Sequence, residues 1–292
     1  MKPGAFTYVA AESLDAALAA KARYGDDARF LAGGQSLIPA MNFRLAQPAI
    51  LIDLNPLKDL DYVKSAASGM SIGALTRYRS VEQSAEVSRL QPLLAEVLPN
   101  IAHPQIRNRG TLCGNLAHAD PASELPAVML ALGARMHARS ASGERVIEAA
   151  DFFINLFETA LKSDEMLVGI ELPALAERTG TCFMEVARRQ GDYAMMGVAA
   201  TITVDAAGRC IRASLALCNA GPTPMRASAA AQALLGQPVT ADAIAAAAAK
   251  AAEEISPTGN VHCTAEYQIH LAGVLSRRAL TTAGARAQGS KT

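Results

Sequence analysis

An α+β fold in three successive units is predicted by three features of this 292-residue chain. Residues 28–53 read as strand, glycine turn, helix and strand, the order of a small parallel sheet. From Asp61 to Pro173, short apolar runs alternate with helical stretches. Beyond residue 181 a meander of strands gives way to alanine-rich helices.

The elements follow in order. Ser13–Lys21 predicts a helix, because Ser13 suits the N-cap and Gly25 follows its end. Ala28–Ala32 is a short strand, Leu37–Leu45 a helix, and Ala49–Asp53 a buried strand ending at Asn55-Pro56. The turn between them lies at a strand's carboxyl end, where ligands of α/β units commonly sit. Met70–Ala74 reads as a strand, Ser80–Ile101 as helical segments, Pro121–Leu132 as a helix and Ala134–Arg139 as a strand. Met166–Pro173 continues the pattern, and Leu175–Gly180 connects to the third unit. There Cys182–Arg188, Val198–Val204 and Ile211–Cys218 are strands, with Gly208 in a turn. Helices follow from Ser228, and Ala285–Thr292 is expected to fray. The predicted units are therefore 1–57, 58–176 and 177–284, with a tail at 285–292.

Composition narrows the function. Lys and Arg total 27, matching 27 Asp and Glu, and no basic run is long. Nucleic acids and anionic membranes demand clustered cations, so neither is expected as a partner. The five cysteines, Cys113, Cys182, Cys210, Cys218 and Cys263, show no metal-ligand spacing, and no bound metal is expected. Their odd, scattered count suits reduced thiols in a cytoplasmic protein. The N-terminus lacks the apolar core of a signal peptide, and no apolar stretch is long enough to span a bilayer, so no membrane insertion is expected. Trp is absent and aromatics make up 4% of residues, so any aromatic platform must come from a few Tyr or Phe.

Two glycine-bearing turns carry the chemistry. In Ala32-Gly33-Gly34-Gln35-Ser36, glycines allow positive φ and close approach of an anion to N–H groups, and Ser36 starts a helix whose positive end favours it. A plain strand-to-helix turn explains the same residues. The second turn, Thr111-Leu112-Cys113-Gly114-Asn115, leads into a polar stretch. Thr111, Asn115, His118 and Ser123 can donate to a phosphate or a ribitol hydroxyl, and Glu124 can accept from a ribose. His118 suits either a general base or a hydrogen-bonding role, and Cys113 either a redox or a packed thiol. Neither turn has the GxGxxG pattern or the lysine of a P-loop, and no GxSxG is present. Together the turns suggest a split cradle for a pyrophosphate.

These residues carry a family resemblance. AGGQSLIPAMNFRLAQPAILIDLN resembles the first flavin loop of the FAD-binding medium subunits of molybdenum hydroxylases, the group of carbon monoxide and xanthine dehydrogenases. HPQIRNRGTLCGNLAHADPASELPAVMLALGA resembles their second loop, and RRQGDYA followed by VAA resembles the start of their C-terminal domain. The resemblance spans essentially the whole chain. It implies a PCMH-type FAD-binding fold of two α/β subdomains, followed by a carbon monoxide dehydrogenase flavoprotein C-terminal domain.

The resemblance also implies roles. Ala32, Gly33, Gly34, Gln35, Ser36 and Leu37 would bind FAD from one side, and Thr111, Cys113, Gly114, Asn115, His118 and Glu124 from the other. Ile101 would touch the flavin region, Leu167 would pack near the adenine, and Tyr193 would cover the isoalloxazine or else be a core tyrosine. No side chain is implied to be catalytic. Two positions depart from the family. Cys113 stands where relatives have glycine; if positive φ is needed there, it strains the turn by about 1–2 kcal/mol. A lysine frequent near the flavin falls at Met184 or Glu185. The implied function is electron transfer through FAD to an external acceptor in an oxidoreductase. A large molybdopterin subunit and a small [2Fe-2S] subunit would be partners, in a heterotrimer or a dimer of heterotrimers. The alternatives are a stand-alone flavin oxidoreductase of this fold and a non-catalytic scaffold subunit.

Overall fold

A three-stranded parallel sheet forms the first unit of the computed structural model, which describes residues 1–289. Its elements are β1 (Thr7–Ala10), α1 (Leu14–Tyr24), β2 (Ala28–Leu31), α2 (Leu37–Asn42) and β3 (Ile50–Asp53), with β3 central. Ser13 caps α1 by accepting from the Ala16 N–H at 3.1 Å, and Gly25 ends it at φ 52°. The sequence reading did not include β1, which is mostly exposed and shows no apolar alternation. Helix α2 stops at Asn42 rather than Leu45. Arg44 turns left-handed (φ 59°), and the Leu45 N–H folds back onto the Ala40 carbonyl at 2.9 Å.

The second unit is built on an antiparallel sheet. It contains β4 (Val63–Ala66), β5 (Gly69–Gly73), α3 (Tyr78–Glu82), α4 (Ala85–Leu90), α5 (Pro92–Val97) and α6 (Pro104–Arg107). After these come α7 (Leu112–His118), α8 (Glu124–Leu132), β6 (Arg135–Ser140), β7 (Gly143–Glu148) and α9 (Ala149–Phe152). The small hairpin of β8 (Phe153–Asn155) and β9 (Glu158–Thr159) precedes β10 (Met166–Pro173). Strand β10 lies in the middle, in the order β4-β5-β10-β6-β7. All of α8 is buried, which its nearly unbroken apolar sequence requires.

The third unit is a four-stranded antiparallel sheet of β11 (Thr179–Ala187), β12 (Ala194–Val204), β13 (Cys210–Cys218) and β14 (Met225–Arg226). Helices α10 (Ser228–Leu234), α11 (Ala241–Glu253) and α12 (Ala265–Ala287) cover it. Its core is separate, built from residues such as Met196, Ile202, Leu275 and Leu280. The core of the first two units is shared between them, and it also takes in Phe183, Ala199 and Cys218 from the third. Thus α8 packs on β12 and β13 as well as on its own sheet. Helix α12 runs to Ala287, into the segment expected as a frayed tail from Ala285. Arg286 holds it there, donating to the Thr181 carbonyl at 2.6 Å and pairing with Glu96 at 3.0 Å. Ser290–Thr292 of that tail lie outside the described residues.

Candidate cofactor site

Both glycine-bearing turns open onto one cleft of about 590 Å³, within the range of small-ligand sites. The first turn links β2 to α2. Gly33 comes so close to the second loop that a Cβ on it would lie 2.6 Å from the Arg109 carbonyl oxygen. Gly34 needs its φ of 71°. The Gln35 amide donates to the Gly33 carbonyl at 3.0 Å and braces the turn. The N–H groups of Gly34, Gln35 and Ser36 have no acceptor among the described residues, although all three residues line the cleft. Backbone donors left open in this way fit an anion.

The second wall is a helix start, not only a turn. Thr111 is the N-cap of α7 and accepts from the Gly114 N–H at 3.2 Å. Cys113 is therefore right-handed, and the strain considered for it does not arise. Its side chain turns into the core, its thiol facing the Gly73 carbonyl at 3.8 Å, and burial pushes the thiol up to about 12. An unreactive packing thiol results. Asn115 and Ser123 hydrogen-bond each other at 2.7 and 2.9 Å, which fixes the amide at the cleft wall. His118, at the end of α7, lies 5.1 Å from the Phe157 ring, and burial lowers its pKa, so it is neutral at pH 7.

Of the expected residues, Ala32, Gly33, Gly34, Gln35, Ser36, Leu37, Thr111, Cys113, Gly114, Asn115, His118 and Leu167 line this cleft together. Glu124, Ile101 and Tyr193 stand apart from its walls. Glu124 is buried in the first turn of α8, next to Ser123, and burial pushes its carboxyl up to about 7. Ile101 is buried before α6, where the buried Arg107 donates to its carbonyl at 3.1 Å and to that of Ala102 at 2.8 Å. Tyr193 is 58% exposed. Gly191 (φ 86°) brings its segment onto that of Ile101, since a Cβ there would lie 2.9 Å from the Ala102 carbonyl. Ile101 and Tyr193 thus lie on joined segments.

Four residues near the site escape sequence reasoning. Asp53 and Asn55, at the end of β3, meet Tyr8 from β1 and Arg77 from the second unit. Tyr8 donates to Asp53 at 2.5 Å, and the Asn55 N–H donates to Asp53 at 3.0 Å. Asn55 also donates to the Ala32 carbonyl at 3.0 Å, and Arg77 donates to both Asn55 and the Arg109 carbonyl. Asn55-Pro56 reads only as a strand stop, and nothing local marks Arg77. Phe157, held at φ 57° on the β8–β9 hairpin, does line the cleft and also has no sequence signal.

A cleft between two mixed helix-and-sheet units, walled by open backbone donors, defines a protein built to hold a phosphate-bearing ligand. Residues 4–175 match the family described as "FAD binding domain in molybdopterin dehydrogenase", and 181–283 match "CO dehydrogenase flavoprotein C-terminal domain". The chain belongs to the family of FAD-binding medium subunits of molybdenum hydroxylases, and is an oxidoreductase subunit. It is 40% identical to the 6-hydroxypseudooxynicotine dehydrogenase complex subunit alpha of Paenarthrobacter nicotinovorans, covering 100% of this chain and 98% of that one. Identity to the carbon monoxide dehydrogenase medium chain of Hydrogenophaga pseudoflava is 37%, covering 98% and 99%. A solved structure of that organism's carbon monoxide dehydrogenase superposes with a TM-score of 0.95 at 38% identity, covering 98% of this chain and 99% of the other. Quinoline 2-oxidoreductase from Pseudomonas putida 86 superposes with a TM-score of 0.93 at 36% identity, over 98% and 99%.

Proposed function

We propose that this chain is the electron-transfer flavoprotein of a molybdenum hydroxylase assembly. It would take electrons from [2Fe-2S] clusters on a small partner subunit and pass them to an external acceptor, while a large molybdopterin subunit oxidises the substrate. The observation that carries the reading is the cleft that Gly34, Gln35 and Ser36, with their open N–H groups, line together with Thr111, Gly114 and Asn115. The two relatives named above, one a dehydrogenase complex subunit alpha and one a dehydrogenase medium chain, support the assembly. When bound, FAD supplies the redox chemistry, and the chain supplies position and access.

The pyrophosphate would rest on the two loops. Leu37 and Leu167 give apolar wall, and Leu167 would pack near the adenine. Neutral His118 would donate a hydrogen bond, and Ile101 and Tyr193 would flank the isoalloxazine. Glu124 would act through Ser123 and Asn115 rather than reach the ligand. Units 1–57 and 58–176 would share the FAD, and 177–284 would close over it. A dimer of heterotrimers in the cytoplasm is the assembly we propose, with no nucleic-acid partner. Its thiols are free, and no helix of the described residues is long and apolar enough to cross a membrane.

Affinity purification of the full chain from its native cells tests the reading. FAD in near-equal amount, copurifying with one molybdopterin and one [2Fe-2S] polypeptide, is the expected result. Flavin without those partners would point to a stand-alone oxidoreductase, and absence of flavin to a scaffold subunit. Either result overturns the proposal.

A further inference from the structure

We propose that Arg77 and Asn55 form a clamp that sets the spacing of the two cofactor-binding loops before the ligand arrives, and that they are positioning residues for FAD. The inference rests on reading the cleft as an FAD site. The loops grow from different sheets, and no strand pairing joins those sheets. Their spacing therefore depends on the core the two units share, on close contact between the loops, and on side-chain bridges.

Asn55 supplies one half of the bridge. Its amide nitrogen donates to the Ala32 carbonyl at 3.0 Å, at the head of the first loop, and its amide oxygen accepts from Arg77 at 2.5 Å. Arg77 supplies the other half. Its second guanidinium arm donates to the Arg109 carbonyl, the oxygen against which Gly33 packs. That carbonyl is thus gripped between the first loop and Arg77, two residues before the Thr111 cap. Asp53 accepts from both the Asn55 N–H and its amide, and Tyr8 donates to Asp53, so the amide is fixed at its base.

Neither Asn55 nor Arg77 lines the cleft, so they act through the loops. A rigid planar fork can hold two acceptors in fixed directions, whereas a lysine ammonium is a single point charge on a flexible stem. A site built loose by about 1 Å loses much of its function, and preorganisation recovers affinity by cutting the cost of ordering on binding.

The test uses the full chain in its native assembly, stripped of flavin and titrated with FAD. Arg77→Met and Asn55→Ala each raise the Kd for FAD by about tenfold or more, while the melting temperature without FAD stays near that of the wild type. Arg77→Lys behaves like Arg77→Met if bridging matters. Full recovery of affinity in Arg77→Lys would mean that charge alone is needed, which overturns the clamp. Unchanged Kd in Asn55→Ala also overturns it, and that variant decides the matter if Arg77 variants fail to fold. Wild-type protein that binds no FAD defeats the FAD reading itself, and the clamp with it. Wild-type binding with normal affinity in both variants defeats the clamp alone.

Discussion

At the residue scale, Cys113 shows how one position changes meaning with its backbone. The family resemblance implies glycine there, and a glycine in a tight loop suggests a requirement for positive φ. In this chain the residue is the second of α7 and right-handed, so its thiol simply fills core space beside Gly73. Cys113→Gly is therefore expected to lower stability by about 1–2 kcal/mol, from helix propensity and lost packing, without raising FAD affinity. Thermal melts and flavin titration of the variant check both halves. His118 gives a second residue-level prediction. Being neutral and in tilted contact with the Phe157 ring, it serves binding rather than proton transfer. His118→Ala is expected to lower flavin content more than turnover per bound flavin; a large loss of turnover at full flavin content would contradict this.

At the element scale, the two loops are short because each ends in a helix start. The first is tight enough that Gly33 has no room for a side chain. Gly33→Ala places a methyl against the Arg109 carbonyl and must push the loops apart, costing about 1–3 kcal/mol. Reduced flavin content together with a lower melting temperature is the expected outcome. Both loops were legible in the sequence, because glycine, a capping hydroxyl and a following apolar helix are local signals. The bridge between them was not. Asn55 and Arg77 are 22 residues apart in sequence, and their pairing exists only once two separate sheets are placed side by side. Likewise Pro104–Arg107 folds into the short α6, which buries Arg107 against Glu82 at 3.3 Å across 25 residues of chain.

At the scale of the whole molecule, the third unit is joined to the second by charge as well as by apolar contact. Glu96 on α5 accepts from the Phe183 N–H at 3.2 Å and pairs with Arg286 of α12. Deeper in, Glu185 of β11 has a carboxylate oxygen sealed from solvent with no hydrogen-bond partner among the described residues. Burial first, and then the Glu124 charge, push its carboxyl up to about 8. The sign of the resulting pH dependence follows from linkage. The folded state holds more protons than the unfolded state between pH 4.5, the ordinary carboxyl value, and about 8. Stability from this group is therefore full at low pH and falls as pH rises through that window. Glu185→Gln is expected to raise the melting temperature at pH 8.5 and to differ little from wild type at pH 5, as thermal melts across that range would show.

Caps, turns and apolar periodicity are written within short stretches of chain, and they made most strands and helices, the two loops and the family readable in advance. Which side chains meet across those stretches is set by packing. Packing tied the loops through Asn55 and Arg77 and set the Ile101 and Tyr193 segments together. Each of these depends on contacts between distant segments, whose geometry is fixed by packing two sheets and α8 around a shared core.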